Sequence, residues 1–358
     1  MRRLAVAALL SAVTACLFAP RLEERGYKTC TSDAECAEAG RLCRTGYCSP
    51  PTWWNESWGE RRQVVLHNVS GAVVPKGFPA RLGVGPDPRP FKRDEFNPSA
   101  RLVAIDRTAG GAQVEVPVTV DVLSSQAFDV IFRLPAEIPV DGVYADLFVY
   151  SAAGGAATRT DARKDVYDLD DDFEALTLDA ALWRSQGPAV VQDGDAVVQR
   201  DGYLWSNGAL PATPGALLTV EFQVDSNCDG LAMGLISNSQ RGFKTPYVVV
   251  SSTGPGQASV QALRGDALPF EPDAPAIMDF TGSTQRLDLL LSGAAVRVIL
   301  DGNVVDSFEM REAVTAEMRA HFFVEGGNCT LSIHKTRMRA ALADEPELTT
   351  ERRVARPD

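Results

Sequence analysis

The residues of this 358-residue chain best suited to chemistry are seven cysteines, three histidines and one dense run of acids. The cysteines are Cys16, Cys30, Cys36, Cys43, Cys48, Cys228 and Cys329, an odd number, so at least one has a role outside a disulfide. Four fall in the segment CTSDAECAEAGRLCRTGYC, separated by five, six and four residues. There is no CxxC and no nearby histidine, so disulfides are expected there rather than zinc. So short a segment cannot bury a core of its own, and cross-links normally take that place. Four cysteines allow three pairings, and the sequence does not choose among them. Cys228 and Cys329 are expected to pair in an oxidising compartment. His67, His321 and His334 are scattered, which makes a multi-histidine metal site hard to build. The acids Asp165, Asp168, Asp170, Asp171, Asp172, Glu174 and Asp179 could hold calcium, but the EF-hand spacing is absent. No metal and no cofactor is expected.

The formal net charge is -12, which argues against nucleic acid as a partner, because phosphate binding needs a basic surface. Gly-x-Ser-x-Gly, His-Glu-x-x-His and P-loop strings are all missing. Among aromatics the most site-like is Trp205 in Gly202-Tyr203-Leu204-Trp205-Ser206-Asn207-Gly208, with Tyr203 and Asn207 as companions in ligand binding. Core packing at a strand end is the competing reading for Trp205.

The elements that position these groups begin with an export signal. Met1-Arg2-Arg3 is basic and Leu4 to Ala15 is apolar, the anatomy of a signal peptide and too short for a comfortable membrane span. The run ends in Val13-Thr14-Ala15-Cys16, which resembles a bacterial lipobox. That resemblance implies lipidation at Cys16, several acyl chains and stable anchoring. It leaves six cysteines for disulfides. Leu17 follows the lipidated position where an Asp would favour inner-membrane retention, so an outer-membrane lipoprotein, periplasmic or surface-exposed, is expected. Residues 16–29 then form a tether and 30–50 a Cys-rich disulfide module, similar to the short modules of myxobacteria-like secreted and surface proteins.

Pro50-Pro51 opens a new register, followed by WWNESWGERRQVVLHN. This resembles the start of a bacterial β-sandwich family of unknown function, which opens on Trp-Trp-Asn-x-x-Trp and a first strand. RLVAIDRTAGG (101–111) and VIFRLPAEIPVDGVYADLFVYSAAGG (130–155) are similar to its later elements. The resemblance implies a β-sandwich over 53–155. The β-branched runs 114–116 and 118–120 agree, with Pro117 marking an edge or a bulge. Trp53, Trp54 and Trp58 could stack on a sugar, but plugging the end of the core is the reading favoured here.

After a polar linker at 161–164, DVYDLDDDFEALTLDAALW resembles the first strand of bacterial concanavalin-like domains, with Asp171-Asp172-Phe173 and Leu178-Asp179 to Trp183 in the matching places. Strands are expected at 196–199, 217–224, 231–237, 247–251, 259–263, 286–291, 296–300 and 330–338. Asp301-Gly302 lies between apolar runs, a strong hairpin signal. RVILDGNVVDSF is similar to the late hairpin of laminin-G-like and concanavalin-like sandwiches. Hydrolases of that shape carry Glu-x-Asp-x-x-Glu on one strand, and no such string occurs here. The remaining segment, 339–358, is polar and lacks aromatics, and is expected to be a disordered tail.

The fold class read from the sequence is all-β: two consecutive β-sandwiches, the second a concanavalin-like jelly roll over 165–338, after a small disulfide-rich module. The expected function is that of a non-catalytic cell-envelope lipoprotein, held to the membrane by its lipid anchor and binding polysaccharide or a surface protein. The alternatives are a structural component of the outer envelope without a small ligand and, less favoured, a glycoside hydrolase-like enzyme.

Overall fold

The computed structural model describes residues 28–350 and 354–355, except 40, 45–46, 50, 56–57, 87–88, 94–95, 154–158, 226–227, 238–245, 255, 264–276, 311–312 and 326–328. The expected signal segment and Cys16 lie outside the described residues. Among the described residues no helix is long and apolar enough to cross a membrane.

The Cys module is a seven-residue 3-10 segment, Asp33–Ala39, and a hairpin of Leu42–Arg44 with Tyr47–Ser49. Cys30 bonds Cys43 and Cys36 bonds Cys48, which selects one of the three pairings. Arg107 clamps the module to the first sandwich: its guanidinium donates to the carbonyls of Asp33 and Arg41, both at 2.9 Å, and pairs with Asp146. Leu42 is buried with Trp58, Val103, Ile105, Phe148 and Tyr150, and Trp53 and Trp54 close that cluster from outside. Trp53 meets Tyr150 edge-on at 5.7 Å and donates its indole N–H to the Trp58 carbonyl at 2.8 Å. The aromatic opening therefore works as packing between module and sandwich.

The first sandwich packs two sheets over a core that includes Val64, Leu66, Leu82, Leu102, Phe132 and Leu147. One sheet orders Glu347–Thr350, Trp58–His67, Val143–Ala153, Arg101–Asp106 and Ala112–Glu115. The other orders Pro79–Val84, Phe128–Arg133 and Val118–Val122. Pro117 sits where the chain leaves the first sheet for the second; without an N–H it cannot continue a ladder. The C-terminal segment departs from the expected disordered tail. Strand Thr330–Ala340 runs past residue 338, Ala341 and Leu342 are buried, and Glu347–Thr350 and Val354–Ala355 both pair with Trp58–His67. Backbone pairing at a sheet edge needs no apolar pattern, so composition gave no sign of it.

The second sandwich has two antiparallel sheets around a larger core. Its back sheet orders Ala189–Gln192, Asp195–Gln199, Thr330–Ala340, Ala216–Val224, Gln285–Ser292, Ala295–Leu300 and Asn303–Glu309. Its front sheet orders Trp183–Gln186, Gly202–Ser206, Glu317–Val324, Leu231–Ile236, Tyr247–Gly254, Gln257–Leu263 and Met278–Asp279. Asp301 and Gly302 both have positive φ, 49° and 81°, as the two-residue hairpin turn requires. Cys228 and Cys329 are joined.

The first sandwich covers the outer face of the back sheet. Asp121 accepts hydrogen bonds from Arg286 at 2.7 Å and from Arg337 at 2.8 Å, and Arg339 donates to the Pro79 carbonyl at 3.2 Å. Among the described residues the first sandwich does not reach the outer face of the front sheet, where Tyr203, Tyr247, Val249, His321 and Phe323 are buried and Trp205 is partly exposed.

A candidate binding face on the front sheet

Alternation along the front-sheet strands sends Leu204, Met233, Leu235, Ala320, Phe322 and Val324 into the core. The residues between them point outward. Register aligns these into rows across the sheet. One row runs Arg184, Trp205, His321, Gly234, Val249, Gln261. The next runs Gln186, Tyr203, Phe323, Ala232, Ser251, Ser259. A third joins Arg319, Ile236 and Tyr247. None of the three rows contains a carboxylate.

Aromatic packing fixes the middle of this face. Tyr203 stacks on Phe323 with ring centroids 5.9 Å apart and planes 17° from parallel. Trp205 stacks on His321 at 6.1 Å and 24°. Tyr203, Phe323, His321 and Tyr247 are all buried, whereas Trp205 remains partly exposed over them. Burial alone lowers the His321 pKa to about 4, and its Nδ1 has no hydrogen-bond partner. The ring is therefore neutral at pH 7 and serves as an apolar support under the indole. At Gly234 a Cβ would lie 2.3 Å from the Val248 carbonyl oxygen, so only glycine fits, and bare backbone separates His321 from Val249.

The three residues singled out around Trp205 differ in their surroundings. Trp205 lies within strand Gly202–Ser206. Tyr203 is buried beneath the surface layer. Asn207 is engaged with its own neighbourhood: its side-chain amide donates to the carbonyls of Ala180 at 2.9 Å and Ala181 at 3.0 Å and accepts from Arg184 Nε at 2.8 Å. Its carbonyl is also held by Arg319. Asn207 thus fixes the turn beside the indole, and Trp205 is the member of the trio free to meet a ligand. His321 and Arg319 were missed in the sequence, because their strand lies more than a hundred residues from Trp205.

The acid-rich segment is structural. Asp171 accepts the Trp183 indole N–H at 2.7 Å and the Phe173 backbone N–H at 2.9 Å, which holds Phe173 in the core. Asp168 pairs with Arg133, Asp170 with Arg337, and Asp172 with Arg163. Among the described residues, the only group of three metal-ligand atoms within 4.8 Å is Cys30, Cys36 and Cys48, all in disulfides.

No known family pattern matches the chain, and no curated protein matches it. Solved structures do. The Emp47p carbohydrate recognition domain aligns at 12% identity and TM-score 0.40, covering 48% of this chain and 94% of that one. A prokaryotic beta-1,3-1,4-glucanase (lichenase) derived from a mouse hindgut metagenome aligns at 10% and 0.37, covering 48% and 98%. The VIP36 exoplasmic/lumenal domain, in a Ca2+/Man3GlcNAc-bound form, aligns at 12% and 0.36, covering 46% and 93%. What the chain's own strands define is an all-β protein of two sandwiches behind a disulfide module.

Proposed function

We propose that this chain is a non-catalytic saccharide-binding protein of the bacterial envelope, anchored through a lipid on Cys16, with the front-sheet face around Trp205 as its binding surface. The observation that carries the reading is the Trp205–His321 stack, its indole partly exposed on a front-sheet face that the first sandwich does not cover among the described residues. An indole held rigid from below offers a flat apolar surface to the C–H face of a sugar ring at little cost in side-chain entropy. Arg184 and Gln186, on the adjacent strand Trp183–Gln186, flank it and can hydrogen-bond hydroxyls. Glycoside hydrolysis needs a pair of carboxylates across the scissile bond. The rows around Trp205 contain none, which supports binding without turnover.

The test is a glycan array probed with the soluble mature chain and with Trp205→Ala. Saccharide signals that disappear in the variant, with no reducing ends released, are the expected result. Equal signals from both proteins, or release of reducing ends by the wild type, would overturn the reading. For the anchor, Cys16→Ser is expected to move the protein from membrane to soluble fractions; a variant that still fractionates with membranes contradicts lipidation.

A further inference from the structure

The first sandwich does not close fully over the back sheet. Between strand Pro79–Val84 on one side and strands Ala216–Val224, Gln285–Ser292 and Ala295–Leu300 on the other lies a cavity of about 920 Å³, with residues 341–346 along its edge. That volume is in the range of small-molecule sites, roughly 300–1,000 Å³. One wall is aliphatic and aromatic, with Leu66, Phe78, Leu217, Leu290, Ile299 and Leu342. The polar lining is dominated by four guanidiniums, Arg81, Arg89, Arg297 and Arg339.

Three of the four are taken. Asp129 receives Arg81 at 3.3 Å and Arg89 at 2.5 Å. Glu345 receives Arg81 at 3.2 Å and Arg339 at 2.7 Å. Burial works against the charge on Glu345, but Arg339 and Arg81, with a smaller contribution from Arg297, outweigh it and hold the carboxyl below its ordinary range. The lining thus already pairs two carboxylates, Asp129 and Glu345, the second supplied by the chain's own C-terminal segment. Arg297, on strand Ala295–Leu300, is half-buried and has no hydrogen bond or ion pair among the described residues. Asp344, the remaining acid of the lining, is exposed at the rim.

We infer that this interdomain cavity is a second binding site, separate from the front-sheet face, for a ligand with one carboxylate on an aliphatic body. Arg297 receives the carboxylate as a charge-assisted pair. The aliphatic body lies along Leu217, Leu290 and Ile299. An uncharged amphiphile of the same length gains the apolar contact alone.

Calorimetric titration of the full mature chain with decanoate and with decanol tests this. Decanoate is expected to bind saturably and at least about tenfold more tightly than decanol, the order expected of one hydrogen-bonded ion pair. Arg297→Gln is expected to remove that difference while melting close to the wild-type temperature, because Arg297 has no hydrogen bond or ion pair among the described residues and contributes less to Glu345 than Arg339 and Arg81 do. Trp205→Ala is expected to leave decanoate binding unchanged, which separates this site from the saccharide face. Absence of saturable decanoate binding, equal binding of decanoate and decanol, or unchanged decanoate affinity in Arg297→Gln would overturn the inference.

Discussion

Acidification should weaken the second sandwich through His321 in particular. An unburied imidazole titrates near 6.5, whereas burial brings this one to about 4. The folded state therefore resists a proton that the unfolded state accepts. The stability tied to the neutral ring is fully present above pH 6.5 and is lost as pH falls from there towards 4. At pH 5 the unfolded ring is almost wholly protonated and the folded ring almost wholly neutral, a penalty of about 2 kcal/mol. Below pH 4 it levels off at about 3 kcal/mol. His321→Phe keeps a ring under Trp205 and cannot titrate, and Nδ1 has no partner to lose. Urea unfolding of both proteins at pH 7 and pH 5 isolates the effect, since every other titrating group is common to the two. The stability difference between them should shift by about 2 kcal/mol in favour of the variant on going to pH 5. A difference that stays the same within about 0.5 kcal/mol, the usual scatter of a neutral change, would refute the reasoning.

Three further outcomes are expected. Replacing Cys228 and Cys329 by Ala opens a loop with a sequence separation of 101 residues, and unfolding free energy should fall by up to about 4.7 kcal/mol in denaturant titration. Asp121→Ala leaves Arg286 and Arg337 without their shared partner at the interdomain contact; a loss of about 3 kcal/mol is expected, read as a lower unfolding midpoint, and a neutral change would show that the contact is not formed. Ending the chain after Pro346 removes both C-terminal strands and frees one edge of Trp58–His67, so hydrogen exchange at the backbone amides of that strand should accelerate while exchange in Thr330–Ala340 stays slow.

The parts of the fold that could be read from residues alone are those with local signals. Apolar runs marked the strands at 217–224, 231–237, 286–291 and 296–300, and Asp301-Gly302 marked the hairpin that joins Ala295–Leu300 to Asn303–Glu309. Asp193-Gly194 makes the same kind of turn, with φ of 54° and 87°, and its signal was present but unused. Strand Glu317–Val324, absent from the expected strands, does alternate polar and apolar residues from Glu317 to Phe322, and the alternation breaks only at Phe323. Trp205 stood out as a residue type, but its setting did not. Its support comes from His321 across a ladder, and register between strands so far apart is not written in either segment. The acid-rich segment shows the same limit: Asp168, Asp170, Asp171 and Asp172 meet Arg133, Arg337, the Trp183 indole and Arg163, partners that no local pattern pointed to.

The chain has five tryptophans, and the structure gives each a distinct surrounding: Trp53, Trp54 and Trp58 at the module–sandwich contact, Trp183 in the second core, and Trp205 on the front-sheet face. Their indole N–H resonances in a 15N-labelled sample, assigned by single replacement, report where a saccharide sits. On titration with the strongest glycan from the array, the account predicts a saturable shift of the Trp205 signal with the other four unmoved. A shift confined to Trp53, Trp54 or Trp58 would contradict it, placing the sugar on the first sandwich instead.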